Sequence, residues 1–126
     1  MDNNSCWVSP TGQILSEQSF YEDKPHGEGR AFYPSGALYR IDRFEQGVRV
    51  GEQVAYYENG QLKTVMHFVN GLLEGECRLY WPNGERKRAV QFCEGVRQGT
   101  DKFWSEKGEL TAEYFYVNGE ERAISL

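Results

Sequence analysis

One stretch decides the fold: residues 68–84 read FVNGLLEGECRLYWPNG. In this stretch an aromatic residue, an Asn-Gly pair and a lone glycine are followed by two adjacent aromatic residues and a second Asn-Gly pair. Asn-Gly favours tight hairpin turns, because both residues adopt positive φ at little cost. The intervening Leu, Tyr and Trp residues favour strands. The stretch therefore predicts two hairpin turns separated by a strand.

The same pattern recurs every 24 residues along the chain with no insertion. Three glycine positions and one aromatic position share this period, which indicates a repeat protein. The first-turn glycines are Gly12, Gly36, Gly60, Gly84 and Gly108. The strand glycines are Gly27, Gly51, Gly75 and Gly99. The second-turn glycines are Gly47, Gly71, Gly95 and Gly119, and the aromatic series is Phe20, Phe44, Phe68, Phe92 and Tyr116.

Each repeat is interpreted as strand, turn, strand, turn. The predicted fold class is all-β, a single-layer twisted antiparallel β-meander of five 24-residue hairpin repeats. Residues 1–126 form one predicted domain, and its first repeat is a degenerate cap in which Asp23 replaces the loop glycine. Hairpins this short stabilise one another by stacking in series. The predicted repeat bounds are approximately 4–26, 27–50, 51–74, 75–98 and 99–122.

The turn chemistry predicts the strand register. Two-residue type I′ turns are expected at Asn59-Gly60, Asn70-Gly71, Asn83-Gly84 and Asn118-Gly119. A two-residue loop at 59–60 places Tyr57 opposite Leu62 and Gly51 opposite Phe68. The same arithmetic predicts the pairs Gly27 with Phe44, Gly75 with Phe92, and Gly99 with Tyr116. We expect each ring to cover the bare backbone of its glycine and so to hold the register.

Strand alternation predicts two different faces of the sheet. Face A is the more apolar side, interrupted by a few charged residues, whereas face B mixes charges with a row of aromatic residues. Face A includes Leu38, Leu62, Leu110, Phe44, Phe68, Val90, Tyr114 and the charged residues Arg40, Asp42, Arg86, Arg88 and Asp101. Face B includes Glu28, Arg30, Arg43, Glu52, Lys63, His67, Glu76, Arg78, Lys87, Lys102 and the aromatic row Phe32, Tyr56, Tyr80 and Trp104.

Charge and composition argue against several classes of partner and site. The net charge is −5, from 19 acidic and 14 basic residues, whereas a nucleic-acid-binding protein normally carries a basic excess. The short run from Arg86 to Arg88 is interpreted as a solvated strand face. Three cysteines without metal-ligand spacing favour a reducing compartment. With no signal-like start and no apolar run of about 18–20 residues, we expect a cytoplasmic protein without a membrane span.

The sequence offers little chemistry for catalysis. His26 is expected in a loop and His67 on face B, and neither has an evident partner base. Cys77 is expected to be a small packed thiol, and the glycines are already assigned to turns and strands. We therefore expect no enzyme activity, no cofactor and no metal site.

The run from Phe68 to Gly84 resembles the MORN repeat, and the run YYENGQLK from Tyr56 to Lys63 resembles its bacterial variant. The resemblance covers roughly residues 7–122. Most repeats lack the second glycine of the family's G-x-G pair, which only Gly27 and Gly29 retain. The resemblance implies a binding or scaffolding protein. Bacterial members are often labelled antitoxin or immunity components, and eukaryotic members are associated with scaffolding, dimerisation and lipids.

The leading hypothesis is a protein-binding module, in particular an antitoxin that occludes a toxin. Tyr, Trp and Arg are favoured interface anchors, and both faces present them. The candidate partner-binding residues are Phe32, Tyr56, Tyr80, Trp104, Arg30, Arg78, Arg40, Asp42 and Arg88. The alternatives are a self-associating scaffold such as a homodimer, a peripheral membrane adaptor, which the acidic balance disfavours, and two aromatic rows that only stabilise the hairpins.

Overall fold

The computed structural model describes the backbone of residues 2–123 and the side chains of residues 4–123. All the regular secondary structure in this part of the chain is β-strand. The strands are β1 Asp2–Val8, β2 Ile14–Tyr21, β3 Lys24–Phe32, β4 Leu38–Glu45, β5 Val48–Arg49, β6 Gly51–Tyr56, β7 Leu62–Val69, β8 Leu72–Leu73, β9 Gly75–Tyr80, β10 Arg86–Cys93, β11 Val96–Trp104, β12 Leu110–Val117 and β13 Glu120–Arg122.

The strands form one antiparallel sheet in chain order, and β1 and β13 lie at its two ends. The short strands β5 and β8 extend the hairpins of β4 and β7. The accessible surface is 8277 Å², whereas a compact protein of this mass exposes roughly 6,900 Å². The fold is therefore an open single layer, which confirms the predicted meander.

The buried residues lie mainly along the middle of the sheet rather than between two layers. Residues directly opposite one another in an antiparallel pair project on the same side, so the pairs assign buried Cys77, Val90 and Asp101 to face A. Val65 is buried on face B, opposite Val54 and Arg78. A single layer buries little, so contacts between successive hairpins carry most of the stability.

The second turn of each repeat has the predicted type I′ geometry. Asn70 and Gly71 have φ of 50° and 82°, and Asn118 and Gly119 have φ of 51° and 83°. Gln46-Gly47 and Glu94-Gly95 adopt the same left-handed pair of conformations. The type I′ prediction is thus confirmed at 70–71 and 118–119.

The first turn of each repeat is different, and the type I′ prediction is wrong at 59–60 and 83–84. Only the glycine of each pair has positive φ. The Gly60 N–H donates to the Tyr57 carbonyl at 2.9 Å and the Tyr57 N–H donates to the Gln61 carbonyl at 2.8 Å. This pattern is a three-residue loop with glycine in the left-handed position.

Asn59 is used for its side chain rather than for its backbone freedom. Its Oδ1 accepts the Gln61 N–H at 2.9 Å, and its Nδ2 donates to the Pro82 carbonyl of the next repeat at 3.1 Å. Asn83 repeats both bonds, to the Glu85 N–H and to the Glu106 carbonyl. These amides link neighbouring loops along one edge of the sheet.

The longer loop changes the register near the turn. Tyr56, not Tyr57, lies opposite Leu62, and the register then shifts so that Ala55 lies opposite Thr64 and Lys63 forms a bulge. The extra loop residue and the bulge cancel, because each moves the register by one residue in opposite directions. Beyond the bulge the predicted pairing of Gly51 with Phe68 is therefore recovered.

The bulge corrects the assignment of residues to faces. Leu38, Leu62 and Leu110 lie opposite aromatic residues of face B, as does Arg86. All four were predicted on face A. Face B thus gains a residue beside each member of its aromatic row.

The strand glycines lie opposite the aromatic series in all four pairs: Gly27 with Phe44, Gly51 with Phe68, Gly75 with Phe92, and Gly99 with Tyr116. The backbone conformation gives a separate reason for glycine at these positions. All four glycines have positive φ, and no ring atom of the opposite residue is among the nearest atoms that an added Cβ would meet within 4 Å. Glycine is required because the strand kinks there with positive φ, and the covering of each glycine by the opposite ring stays a prediction.

Gly75 allows a clean test of this kink. It has φ of 83° and nothing within 4 Å of an added Cβ. We expect Gly75→Ala to lower the free energy of unfolding by about 1–2 kcal/mol, because an L residue is strained in this conformation. Urea unfolding followed by circular dichroism measures it, and Gly75→Asn, which tolerates positive φ, should lose less. An Ala variant as stable as the wild type would refute the kink as the reason for glycine.

Three side chains connect successive repeats through backbone carbonyls. The Tyr33 hydroxyl donates to the Tyr56 carbonyl at 2.7 Å, the Tyr57 hydroxyl to Tyr80 at 2.6 Å, and Trp81 Nε1 to Trp104 at 3.0 Å. On the opposite edge, His26 lies inside β3 rather than in the predicted loop, and its Nδ1 accepts the Gln46 N–H at 3.1 Å. His26 therefore links strand β3 to the turn at Gln46-Gly47.

Candidate partner-binding surface

The aromatic row of face B lies beside the three-residue loops. Phe32, Tyr56 and Tyr80 are half-buried, and Trp104 is only 9 % exposed. Each of these residues faces one residue of the following strand across the loop. In three repeats that residue is leucine, so most of the row is an apolar ladder.

The fourth repeat departs from this ladder. The residues at positions 14, 38, 62, 86 and 110, which recur at the repeat period, are Ile, Leu, Leu, Arg and Leu. Arg86 lies opposite Tyr80 and places its guanidinium carbon 4.3 Å from the centre of the Trp104 ring. A guanidinium over an indole face is a stabilising cation–π contact. The charge is therefore accommodated where the other repeats place an aliphatic side chain.

The neighbouring row of face B also differs from the preceding repeats at this point. Ala89 lies between Arg78 on β9 and Lys102 on β11. The equivalent residues of the two preceding repeats are Ile41 and Val65. A smaller side chain between two long cationic ones leaves space above the sheet.

That space is a cleft of about 160 Å³. Its lining combines the aromatic pair, three cationic side chains of face B and one carboxylate, and the residues that define its chemistry are Arg78, Tyr80, Arg86, Ala89, Lys102 and Trp104. The carboxylate is that of Glu76. Arg88 is also among the lining residues, although its guanidinium lies on face A against Asp101. The cleft is a cationic and aromatic depression on a chain with net negative charge.

The structure brings together three of the predicted site residues, Tyr80, Trp104 and Arg78, at one cleft on face B. Phe32 and Tyr56 continue the row into earlier repeats. Arg30 is in an ion pair with Glu28. Arg86, Ala89 and Lys102 were not predicted as site residues. The signal that identifies two of them is the break in the repeat at positions 86 and 89.

The charged candidates of face A are engaged within the sheet. Asp101 is 1 % exposed and accepts two bonds from Arg88, from Nε at 2.9 Å and from an Nη at 2.7 Å. These bonds raise the pKa of the Arg88 guanidinium. Asp42 is 7 % exposed and lies 2.7 Å from an Arg49 nitrogen and 2.8 Å from Arg40 Nε. Asp42 and Asp101 thus anchor arginines on the sheet.

The structure of residues 2–123 also bears on metal sites, membrane-spanning helices and the buried thiol. No group of three or more His, Cys, Asp or Glu residues there could hold a metal ion. The same residues include no helix long and apolar enough to span a membrane. Cys77 is buried, as expected of a packed thiol, and burial raises the pKa of its thiol.

The thiols should differ in reactivity. Cys6 and Cys93 are exposed and Cys77 is buried, and the thiolate is the reactive species. We expect rapid alkylation of Cys6 and Cys93 by iodoacetamide at pH 8, and slow alkylation of Cys77 until denaturant unfolds the sheet. Peptide mass spectrometry over time measures each site. Equal rates at all three would contradict the packed position of Cys77.

Comparison with protein families identifies three segments. The model described as a MORN repeat variant matches residues 49–70. The model described as a MORN repeat matches residues 19–38 and 67–86. No curated protein matches this chain significantly. The matched segments run through the hairpins in which the glycine and aromatic series were found.

Proposed function

Because this chain is a MORN-repeat protein, we propose that it is a non-catalytic module that binds a partner protein through face B. The cleft of the fourth and fifth repeats carries this proposal, since it sets Tyr80, Arg86 and Trp104 side by side. The few residues that dominate binding energy in protein interfaces are enriched in Tyr, Trp and Arg. Face B offers these anchors as a pre-formed row, which limits the entropy lost on binding.

The finer proposal is that the partner is a cytoplasmic toxin, which the module neutralises by covering its working surface. The match of residues 49–70 to the repeat variant supports this reading, because bacterial members with that variant are often labelled antitoxins. An extended single-layer sheet also suits occlusion, since it presents a wide surface for its mass.

The test starts with a tagged pull-down from the native organism at physiological salt, read by mass spectrometry. A neutralising module should recover one stoichiometric partner whose expression alone arrests growth and whose toxicity this chain relieves. Tyr80→Ala should weaken the complex by about 30-fold or more if Tyr80 is an anchor. The matched control is Tyr114→Ala on face A, opposite Asp101. Loss of binding in the control alone would move the interface to face A.

A second candidate function, a self-associating scaffold, is supported by the open ends of the sheet. Within residues 2–123, β1 and β13 each pair on one side only, so their outer backbone groups can pair with another chain. Light scattering over a hundredfold range of concentration tests this candidate. A mass that rises from 14.5 kDa toward its double would favour the scaffold, whereas a constant monomer mass would refute it.

A further inference from the structure

The cationic side chains of the cleft are only partly neutralised. Arg78 lies 3.8 Å from Glu76, a long contact, whereas Arg88 is bound to Asp101 on the opposite face of the sheet. Among the residues that the structure describes, Arg86 and Lys102 have no carboxylate within 4 Å. Two cations with free donors thus converge on the space above Ala89. This excess is local, because the chain as a whole is acidic.

We propose that this cleft binds a carboxylate side chain of an acidic segment of the partner protein. The inference rests on the proposed function and specifies the chemistry of its partner. A guanidinium presents parallel N–H donors that match the two oxygens of a carboxylate. Arg86 supplies this fork, and Lys102 supplies a second charge across the cleft.

The cleft is organised before any ligand arrives. The Trp104 ring lies 4.3 Å from the Arg86 guanidinium carbon, which restrains the side chain without using its N–H donors. The small side chain of Ala89 leaves the space between Arg78 and Lys102 open. On the far rim Gln91 Nε2 donates to Thr100 Oγ1 at 3.3 Å. A restrained arginine loses less entropy when a carboxylate binds.

The surrounding charges favour a narrow peptide over an anionic membrane surface. Glu76 lies on the rim, and Glu28 and Glu52 occupy the equivalent positions of earlier repeats on the same face. A flat anionic surface would approach all of these carboxylates at once, and the net charge of −5 would oppose it. A single extended segment can contact the cleft alone.

The probe is a fluorescein-labelled hexaglutamate peptide, with labelled hexaglutamine and hexalysine as controls. Fluorescence anisotropy is measured with the full-length protein over a series of salt concentrations. We expect hexaglutamate to bind, with an affinity that falls as salt rises, and we expect neither control peptide to bind.

Two variants separate the cleft from general surface charge. Arg86→Leu restores the residue found in three other repeats, and Ala89→Val restores the residue of the preceding repeat, so both should preserve the fold. Each should weaken hexaglutamate binding by about tenfold or more, the first by removing a charged donor and the second by filling the cleft. Arg43→Leu is the matched control, since Arg43 is exposed on the same face outside the cleft.

Four outcomes would overturn the inference. Equal weakening by Arg86→Leu and Arg43→Leu would indicate diffuse attraction, and unimpaired binding by Ala89→Val would show that the cleft is not used. Binding to phosphatidylserine-containing vesicles, but not to hexaglutamate, would assign the cations to a lipid surface. Failure of hexaglutamate to bind, while Arg86→Leu leaves the partner complex intact, would refute the acidic segment and leave the proposed function standing. Failure to recover any partner protein would refute the function itself.

Discussion

Replacing Arg88 by Met is expected to lower the free energy of unfolding by about 3–5 kcal/mol. Asp101 is 1 % exposed, and its carboxylate accepts two hydrogen bonds from the Arg88 guanidinium. Removing the arginine leaves a carboxylate buried without its counter-charge, which is far more costly than the pair is stabilising. Met retains most of the aliphatic volume beside Phe103, over which Arg88 lies.

Urea unfolding followed by circular dichroism measures the loss, and two variants isolate its cause. The double variant Arg88→Met with Asp101→Leu should recover most of the stability, because an apolar pair of similar size often replaces a buried ion pair at little cost. Arg78→Met is the matched control in an exposed ion pair with Glu76, and it should lose less than about 1 kcal/mol. Similar losses in both single variants would contradict the role of burial.

Replacing Trp104 by Ala is expected to cost about 3–5 kcal/mol. The Trp104 side chain is 9 % exposed, in contact with the Arg86 guanidinium, and it closes one side of the cleft. Its removal takes away a large apolar contact that a single-layer sheet cannot replace from a second layer. The loss is again measured by urea unfolding, with circular dichroism as the signal because the substitution removes a fluorophore.

Trp7→Ala is the matched control for Trp104→Ala. Trp7 is 66 % exposed on the first strand, and exposed substitutions usually change stability by about 0.5 kcal/mol or less. A large loss at Trp7, or a loss under about 1 kcal/mol at Trp104, would show that the aromatic row is not a source of stability.

The pairing of Gly51 with Phe68 was predicted correctly, although the predicted turn at 59–60 was wrong. A two-residue loop at 59–60 and a three-residue loop followed by a bulge give the same pairing of Gly51 with Phe68. Asn-Gly is compatible with both, because Asn59 serves the three-residue loop through its side chain. The sequence at the turn does not distinguish them, and the choice decides whether Leu62 and Arg86 lie on face A or face B.

The candidate site was predicted in outline only. The row of Phe32, Tyr56, Tyr80 and Trp104 follows from strand alternation, because the period of two is preserved on the strand that precedes each loop. Arg86 was assigned to the opposite face, because the bulge that moves it lies in the strand after the loop. The repeat pattern does contain a signal for Arg86. Position 86 holds an arginine, whereas the equivalent positions 14, 38, 62 and 110 hold aliphatic residues.

The sequence by itself determined the all-β meander, the repeat period and the opposition of glycine and aromatic residues, because these depend on the backbone preferences of glycine and asparagine and on strand alternation. Only the tertiary structure decided which charges are buried and which remain free. Asp101 lies at 1 % exposure beneath Arg88, whereas Arg86 is held over Trp104 with its donors available. The physical reason is that burial of a side chain depends on the neighbouring strands, which the bulges align and which no local sequence pattern specifies.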